Sequence, residues 1–339
     1  MSEATKSLTA HVTLIETGAE VVSAAFLGRT PAFACVDGTI LFNEIGEERR
    51  VTPHPDAAIL VAQSDGSRFI TGGDDGLILA TGVDHVSTQL GDEKGKWIDA
   101  LALGRDGAVA WSVTKTVRAR DAKGEIKTFT APSSARGLAF IQKGYRLAVT
   151  HYNGVSLWFP NMAAEPDVLK WAGSHLDVVV SPDARFVISA MQENSLHGWR
   201  IADKKDMRMT GYPAKTRSFS WSHDGQWLAT SGAEACVIWP FQSKDGPMGK
   251  PPRECGVRPV RVSRVAFHPS ALIVALGYED GWVMLCRMTD ASEILVRSVS
   301  GVAPDEKGRA VSALAWNNDG RRLVYGTEDG QAGVLDLPA

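Results

Sequence analysis

Long apolar runs are missing from this chain. Nowhere does it approach the roughly 20 consecutive apolar residues that a membrane-crossing helix needs, and the opening segment SEATKSLTA has no apolar core of signal-peptide length. Charge of one sign is missing too. With 36 Lys and Arg against 39 Asp and Glu, the formal net charge is -3 over 339 residues, so the counterion release that drives nucleic-acid binding has little basic surface to draw on. Cysteine is scarce: Cys35, Cys236, Cys255 and Cys286 are widely spaced and form no CxxC pair. Three of them lie in apolar strand contexts, where buried free thiols are expected. Cys255, beside Arg253 and Glu254 in a proline-rich stretch, is expected to be the exposed one. These absences predict a cytoplasmic chain with no membrane span and no nucleic acid as its main ligand.

Helical periodicity is nearly absent as well, and what replaces it is one pattern written eight times. VSALAWNNDGRRLVYGTEDGQAGVLDL (Val311 to Leu337) and RSFSWSHDGQWLATSGAEACVIW (Arg217 to Trp239) match turn for turn. Further copies begin near residues 21, 57, 97, 135, 175 and 263, so the unit recurs at roughly 37 to 48 residues, a spacing read as propeller blades. Inside a copy, Val265 and Phe267, then Leu272, Val274 and Leu276, then Val283 and Leu285 place apolar side chains at every second position. That is the period of a strand. Asp65-Gly66, Asp106-Gly107, Asp224-Gly225 and Asp319-Gly320 fall between first and second runs; Asp37-Gly38, Asp75-Gly76, Asn153-Gly154, Asp280-Gly281 and Asp329-Gly330 fall between second and third. Both are tight-turn dipeptides, so each unit is predicted as an antiparallel meander.

These residues resemble the WD-repeat β-propellers over essentially the whole chain, as a divergent member. The Trp of the family's closing Trp-Asp pair stands at Trp158, Trp199 and Trp239, but Asn43, Thr81, Arg120, Cys286 and Leu335 occupy its place elsewhere; the Asp stands at Asp121 and Asp336. The Gly-His pair of the family's buried Asp-His-Ser-Trp network is absent, His175 after Ser174 being its nearest echo. The resemblance implies an all-β, closed propeller forming one domain over residues 1–339. Its units start near 21, 57, 97, 135, 175, 217, 263 and 311, and residues 11–16 supply the strand that closes the last blade. Eight blades of four antiparallel strands are expected, with seven as the alternative.

No constellation of catalytic residues stands out. Ser222-His223-Asp224 holds the residue types of a hydrolase triad, but consecutive residues on a strand and turn point in alternating directions, and the slot repeats as a hairpin turn in other copies. Gly72-Gly73-Asp74-Asp75-Gly76 lacks both the alternating acidic ligands of a calcium loop and the Lys-Ser/Thr of a phosphate loop. The eight histidines show no metal-ligand spacing. The chain therefore reads as a non-enzyme with no cofactor and no metal.

In the resembling family, the loop leading into each first strand and the turn between second and third strands open on one face, where partners bind. Here those positions carry Trp97, Arg136, Tyr152, His175, Lys215, Arg217, Arg261, Arg264, Tyr278 and Glu279. Aromatic and Arg side chains of this kind are enriched at binding hot spots. The expected function is a scaffold or adaptor for protein or peptide partners, alone or as a subunit of a larger complex. The rivals are a propeller enzyme, either a metal-dependent lactonase-like hydrolase or a cofactor-dependent dehydrogenase, and a reader of acidic or phosphorylated peptides. Two longer loops break the period: residues 243–256, predicted mobile on the opposite face, and residues 300–309, a candidate contact arm.

Overall fold

A computed structural model of the chain describes residues 6–44, 47–299 and 308–338. Within them the regular structure is β apart from two single 3-10 turns, Thr9–His11 and Arg105–Gly107. Among the described residues no helix is long and apolar enough to cross a membrane. The predicted contact arm falls mostly outside, since residues 300–307 are not among those described.

The chain packs as two compact units. The first comprises Met1–Asp56, Arg217–Gln242 and Lys250–Ala339; the second comprises Ala57–Thr216 and Ser243–Gly249. Each is assembled from the antiparallel meanders that the alternation predicts. In the first unit, Val262–Phe267, Ile273–Tyr278 and Val283–Arg287 pair in succession, with Val265 opposite Leu276 and Val274 opposite Cys286. The apolar members of these strands are buried together.

The expectation of eight separate four-stranded blades is corrected: the described strands form seven hydrogen-bonded sheets, five of four strands, one of five and one of six. The six-stranded sheet lies in the second unit and absorbs two copies of the repeat, those starting near Ala135 and His175. The reason is local. Arg146–Trp158 and Asp167–Val180 are extended over 13 and 14 residues, and they stay paired from Leu157 opposite Asp167 to Tyr152 opposite Ser174. The boundary that the repeat places at His175 is thus a register shift between His175 and Asp177 inside a sheet.

The five-stranded sheet belongs to the first unit. Its extra member is the two-residue strand Lys6–Ser7, which runs parallel to Glu293–Arg297. The next segment, Val12–Glu16, pairs antiparallel with Gln331–Asp336, from Val12 opposite Leu335 to Glu16 opposite Gln331, so the expected closing strand is present. Its buried face is that of Ile15. Leu14 is 70% exposed while Ile15 is 3% exposed, because neighbouring positions of a strand face opposite sides.

Successive sheets within a unit are held by a repeated device. An ideal Cβ on Gly277 would lie 2.4 Å from Val311 Cγ1, and one on Gly326 would lie 2.4 Å from Val21 Cγ1. In the second unit a Cβ on Gly72 would lie 2.7 Å from Ile98 Cγ2. A missing side chain at the same place in three copies lets a β-branched residue of the next sheet pack against backbone. Hydroxyls add cross-sheet hydrogen bonds: Ser263 donates to the Val311 carbonyl at 2.7 Å, and Ser312 to the Val21 carbonyl at 2.6 Å.

Turns follow the predicted chemistry. Gly320 adopts φ +72°, and a Cβ there would strike the His268 ring at 2.1 Å. His268 Nε2–H donates to the Gly320 carbonyl at 2.9 Å, so this turn needs glycine for both conformation and space. The loop after Phe241, expected to be mobile, is tied to the fold at several points. Arg200 donates to the Lys244 carbonyl at 2.9 Å and to Asp245 at 2.8 Å, and residues 253–255 form the fourth strand of their sheet.

Candidate functional site

In the second unit, the segment before Ala100–Leu103 is fixed at every point but one. Ile98 is buried against Gly72, and its N–H donates to the Gly73 carbonyl at 3.2 Å. Asp99 accepts the Thr114 N–H on its carboxylate at 2.5 Å and donates its own N–H to the Ser112 carbonyl at 2.9 Å. The neighbouring Trp97 side chain is 66% exposed. A large apolar ring is thus presented on anchored backbone.

The adjoining sheet of the same unit does likewise. Ala135 is buried and donates to the Thr114 carbonyl at 2.7 Å, tying this loop to the previous one. The Gly137 N–H donates to the Thr150 hydroxyl at 2.7 Å. Between them the Arg136 side chain is 62% exposed, with its guanidinium 4.0 Å from Asp99 Oδ1. Midway along the long strand Arg146–Trp158, Tyr152 is 59% exposed. Its N–H donates to the Ser133 hydroxyl at 2.7 Å, and its carbonyl accepts from His151 Nδ1 at 2.8 Å. Burial holds the His151 pKa below its usual range, so the ring is neutral at pH 7 and the Nδ1–H tautomer satisfies that carbonyl. Trp97, Arg136 and Tyr152 therefore emerge at the same end of two neighbouring sheets.

Two other expected residues of this unit behave differently. Lys215 is half-buried. His175 is buried, its Nε2–H donating to the Trp171 carbonyl at 3.0 Å and its Nδ1 lying 2.7 Å from Ser189 Oγ. Its ring sits 5.6 Å from that of Trp199. His175 is thus a core residue and offers no surface to a partner.

In the first unit the expected residues are mostly engaged internally. Arg261 forms an ion pair with Glu279 at 2.9 Å. Arg264 donates to the Ser312 carbonyl at 2.7 Å. Tyr278 is fully buried, its hydroxyl donating to the Gly256 carbonyl at 2.6 Å, and burial pushes its pKa far above the ordinary phenol range. Arg217 alone among them is exposed with no ionic partner found among the described residues.

Sequence reasoning missed the residue that organises this region. Arg258 lies 3.9 Å over the Trp282 ring and 4.7 Å over that of Tyr278, and it pairs with Asp280 at 2.8 Å. Nothing in the stretch Pro251 to Arg261 distinguishes it beforehand. Asp99 and Ser133, which anchor the exposed aromatics of the second unit, were also missed. Asp99 had a readable signal, since it directly precedes the first strand of its copy.

The triad-like Ser222-His223-Asp224 is a turn: Ser222 Oγ donates to Asp224 Oδ1 at 2.5 Å and accepts the Trp227 N–H at 3.0 Å. Among the described residues, no group of three or more His, Cys, Asp or Glu side chains is arranged to hold a metal ion.

Comparison with known proteins bears on the repeat itself. A family model described as the anaphase-promoting complex subunit 4 WD40 domain matches residues 261–338. Two relatives extend the likeness. Protein ROOT INITIATION DEFECTIVE 3 of Arabidopsis thaliana is 24% identical over 246 residues, covering 67% of this chain. A periodic tryptophan protein 2 homolog of Caenorhabditis elegans is 26% identical over 127 residues, covering 36% of the chain. The chain carries the repeat of the WD-repeat β-propellers. It spans 52% of the length of the plant protein and 13% of that of the nematode protein. The crystal structure of the computationally designed Ika8 protein superposes with a TM-score of 0.76 at 17% identity, covering 95% of this chain and 98% of that one, a likeness of fold alone. Within this propeller, His175, Ser189 and Trp199 bring together three members of the family's buried network, an arrangement that the sequence shows only as an echo.

Proposed function

We propose that this propeller is a non-catalytic scaffold for a protein or peptide partner, and that the partner docks on the loop end of the second unit around Trp97, Arg136 and Tyr152. The observation that carries this reading is the exposure of two large aromatic rings and an arginine on backbone fixed by hydrogen bonds. Such a surface loses little conformational entropy on binding, and Trp, Tyr and Arg are the residue types that dominate interface energetics. The kinship with WD-repeat proteins supports the same reading. A partner matched to this surface has an apolar side chain for the rings and an acceptor for Arg136, whose contact with Asp99 is long enough to be exchanged.

The reading as a reader of acidic or phosphorylated peptides loses support, since it rested on the arginines at the entry positions and Arg261 and Arg264 are already engaged. Affinity capture from the source cells tests the proposal. Trp97→Ala and Tyr152→Ala are expected to lose the captured partner, while Lys244→Glu plus Lys250→Glu retains it. Loss with the lysine pair and retention with the aromatic variants would overturn it. Stoichiometric metal that survives dialysis would favour the enzyme reading instead.

A further inference from the structure

Three of the four cysteines, far apart in sequence, meet inside the first unit. Cys236 lies on the third strand of its sheet, Cys236–Pro240, and Cys255 on the fourth, Arg253–Cys255; the two are direct partners in the antiparallel ladder. Cys286 lies on Val283–Arg287 of the neighbouring sheet and packs in the same apolar cluster as Cys236, with Cys255 against it. Cys255 thus faces Cys236 across the ladder and packs against the cluster that holds Cys236 and Cys286. The chain is held tightly here. Gly256 has φ +63°, and a Cβ on it would lie 2.5 Å from the Tyr278 hydroxyl and 3.3 Å from Cys286 Sγ. Its N–H donates to Glu293 at 3.0 Å.

The three thiols are not equivalent. Cys236 and Cys286 are buried, whereas Cys255 is partly exposed. The two neighbouring sulfurs favour the thiolate on Cys255 and hold its pKa down, while that of Cys236 is raised chiefly by burial and that of Cys286 by the adjacent Cys255 and by burial. Partners directly opposite in an antiparallel ladder have Cα atoms about 4.5 to 5.5 Å apart, inside the span that a disulfide bridges.

We propose that Cys255 is a peroxide-reactive thiol and Cys236 its resolving partner, so that the first unit carries a reversible cross-strand disulfide switch. The Cys255 thiolate attacks one oxygen of hydrogen peroxide. The S–O bond forms as the O–O bond breaks, and the departing hydroxide takes up a proton as water, leaving a sulfenic acid. The Cys236 sulfur then attacks Cys255 Sγ. The S–S bond forms, the S–O bond breaks, and the hydroxyl leaves with the Cys236 proton as a second water. Two thiols and one peroxide thus give one disulfide and two waters. Cys286, on a strand of the neighbouring sheet, stays reduced. The bond would join the outer strand to its neighbour in a sheet edge only three residues long. A thiol reductant such as glutathione would reverse it by exchange.

The test uses the native full-length chain. Brief alkylation with iodoacetamide at pH 6 to 7 is expected to label Cys255 about tenfold faster than Cys35, whose buried thiol is pushed up to about 11. Equimolar peroxide is then expected to produce a species lighter by two hydrogens, whose tryptic map joins the peptide holding Cys236 to the one holding Cys255. In Cys236→Ser the disulfide is lost, and dimedone traps a sulfenic acid at Cys255. Should Cys255 react no faster than Cys35 in the native protein, the proposal fails without recourse to any variant. A disulfide joining Cys255 to Cys286, or a tightly held zinc ion protecting all three thiols, would overturn it equally.

Discussion

The two units carry the same kinds of residue at their loop positions but use them differently. In the second unit Trp97, Arg136 and Tyr152 project outward, while buried neighbours and backbone hydrogen bonds hold the loops in place. In the first unit the corresponding Arg261, Arg264, Tyr278 and Glu279 are turned to one another or to backbone carbonyls. The contrast shows that residue type at a loop position does not itself make a binding surface. What matters is whether the fold already satisfies the side chain, because an arginine paired within its own chain must give up that pair before it can bind another. The units also differ in assembly. The three sheets of the second unit come from one continuous stretch of chain, whereas a sheet of the first is completed by an N-terminal strand paired with residues 331–336.

Removing residues 1–16 should have the largest effect and should fall on the first unit. It takes away the ladder of Val12–Glu16, with hydrogen bonds each contributing about 1 kcal/mol, and the burial of Ile15, worth roughly 2 to 3 kcal/mol. That sum is a large share of a typical net stability of about 5 to 15 kcal/mol. Hydrogen exchange on the truncated chain should show lost protection in residues 311–336, with residues 57–130 less affected. Equal loss in both would break the distinction drawn between them.

Trp97→Ala should weaken a captured partner by about 2 kcal/mol or more, roughly thirtyfold in Kd, with Tm unchanged within a degree or two. A binding titration with the purified partner checks this. The same experiment on Arg217→Ala sharpens the comparison, since that arginine is the exposed one in the first unit.

The second unit should also be the more acid-sensitive. His197 is buried beneath Trp171, ring centroids 3.9 Å apart, with neither ring nitrogen hydrogen-bonded and Asp206 Oδ2 at 3.4 Å from Nε2. Burial lowers its pKa to about 4. The unfolded chain therefore takes up this proton first as pH falls below about 6.5, and the stability present at neutral pH is lost progressively towards pH 4. The loss should be on the order of 1 to 2 kcal/mol, a few degrees in Tm. His197→Phe keeps the stacking and should flatten the Tm profile between pH 7 and 5; an unchanged slope would move the sensitivity to His151 or His175, or to His268 of the first unit, whose pKa values are also lowered by burial.

The smallest effect is expected from Arg261→Ala with Glu279→Ala. An exposed pair of this kind is worth at most about 1 kcal/mol, so both stability and partner binding should stay nearly constant.

Most of the fold was legible because its signals are local. The alternation of Val265, Phe267, Val274 and Leu276 and the Asp-Gly turns depend only on near neighbours, and the closing strand was readable from the third run that ends at Asp336. What failed depends on distant contacts. His175 and Tyr278 sit where the pattern places loop residues, yet Ser189 and Trp171 claim the first and Gly256 the second. The sheet count was misread because a repeat boundary in sequence need not interrupt hydrogen bonding, as Tyr152 opposite Ser174 demonstrates. In the closing strand, one position decides whether Leu14 or Ile15 faces the core. Of the candidate site, Trp97, Arg136 and Tyr152 were readable by type and position, while the anchors Ser133 and Asp99 become visible only once neighbouring sheets are placed. The meeting of Cys236, Cys255 and Cys286 was hidden for the same reason.

The loop end of the second unit, and not that of the first, is the proposed seat of the partner. Hydrogen exchange with and without the captured partner tests it most directly. Slowed exchange should concentrate in residues 97–99, 133–137 and 150–154, with residues 258–264 and 278–282 unchanged. Protection confined to the latter segments would contradict the claim.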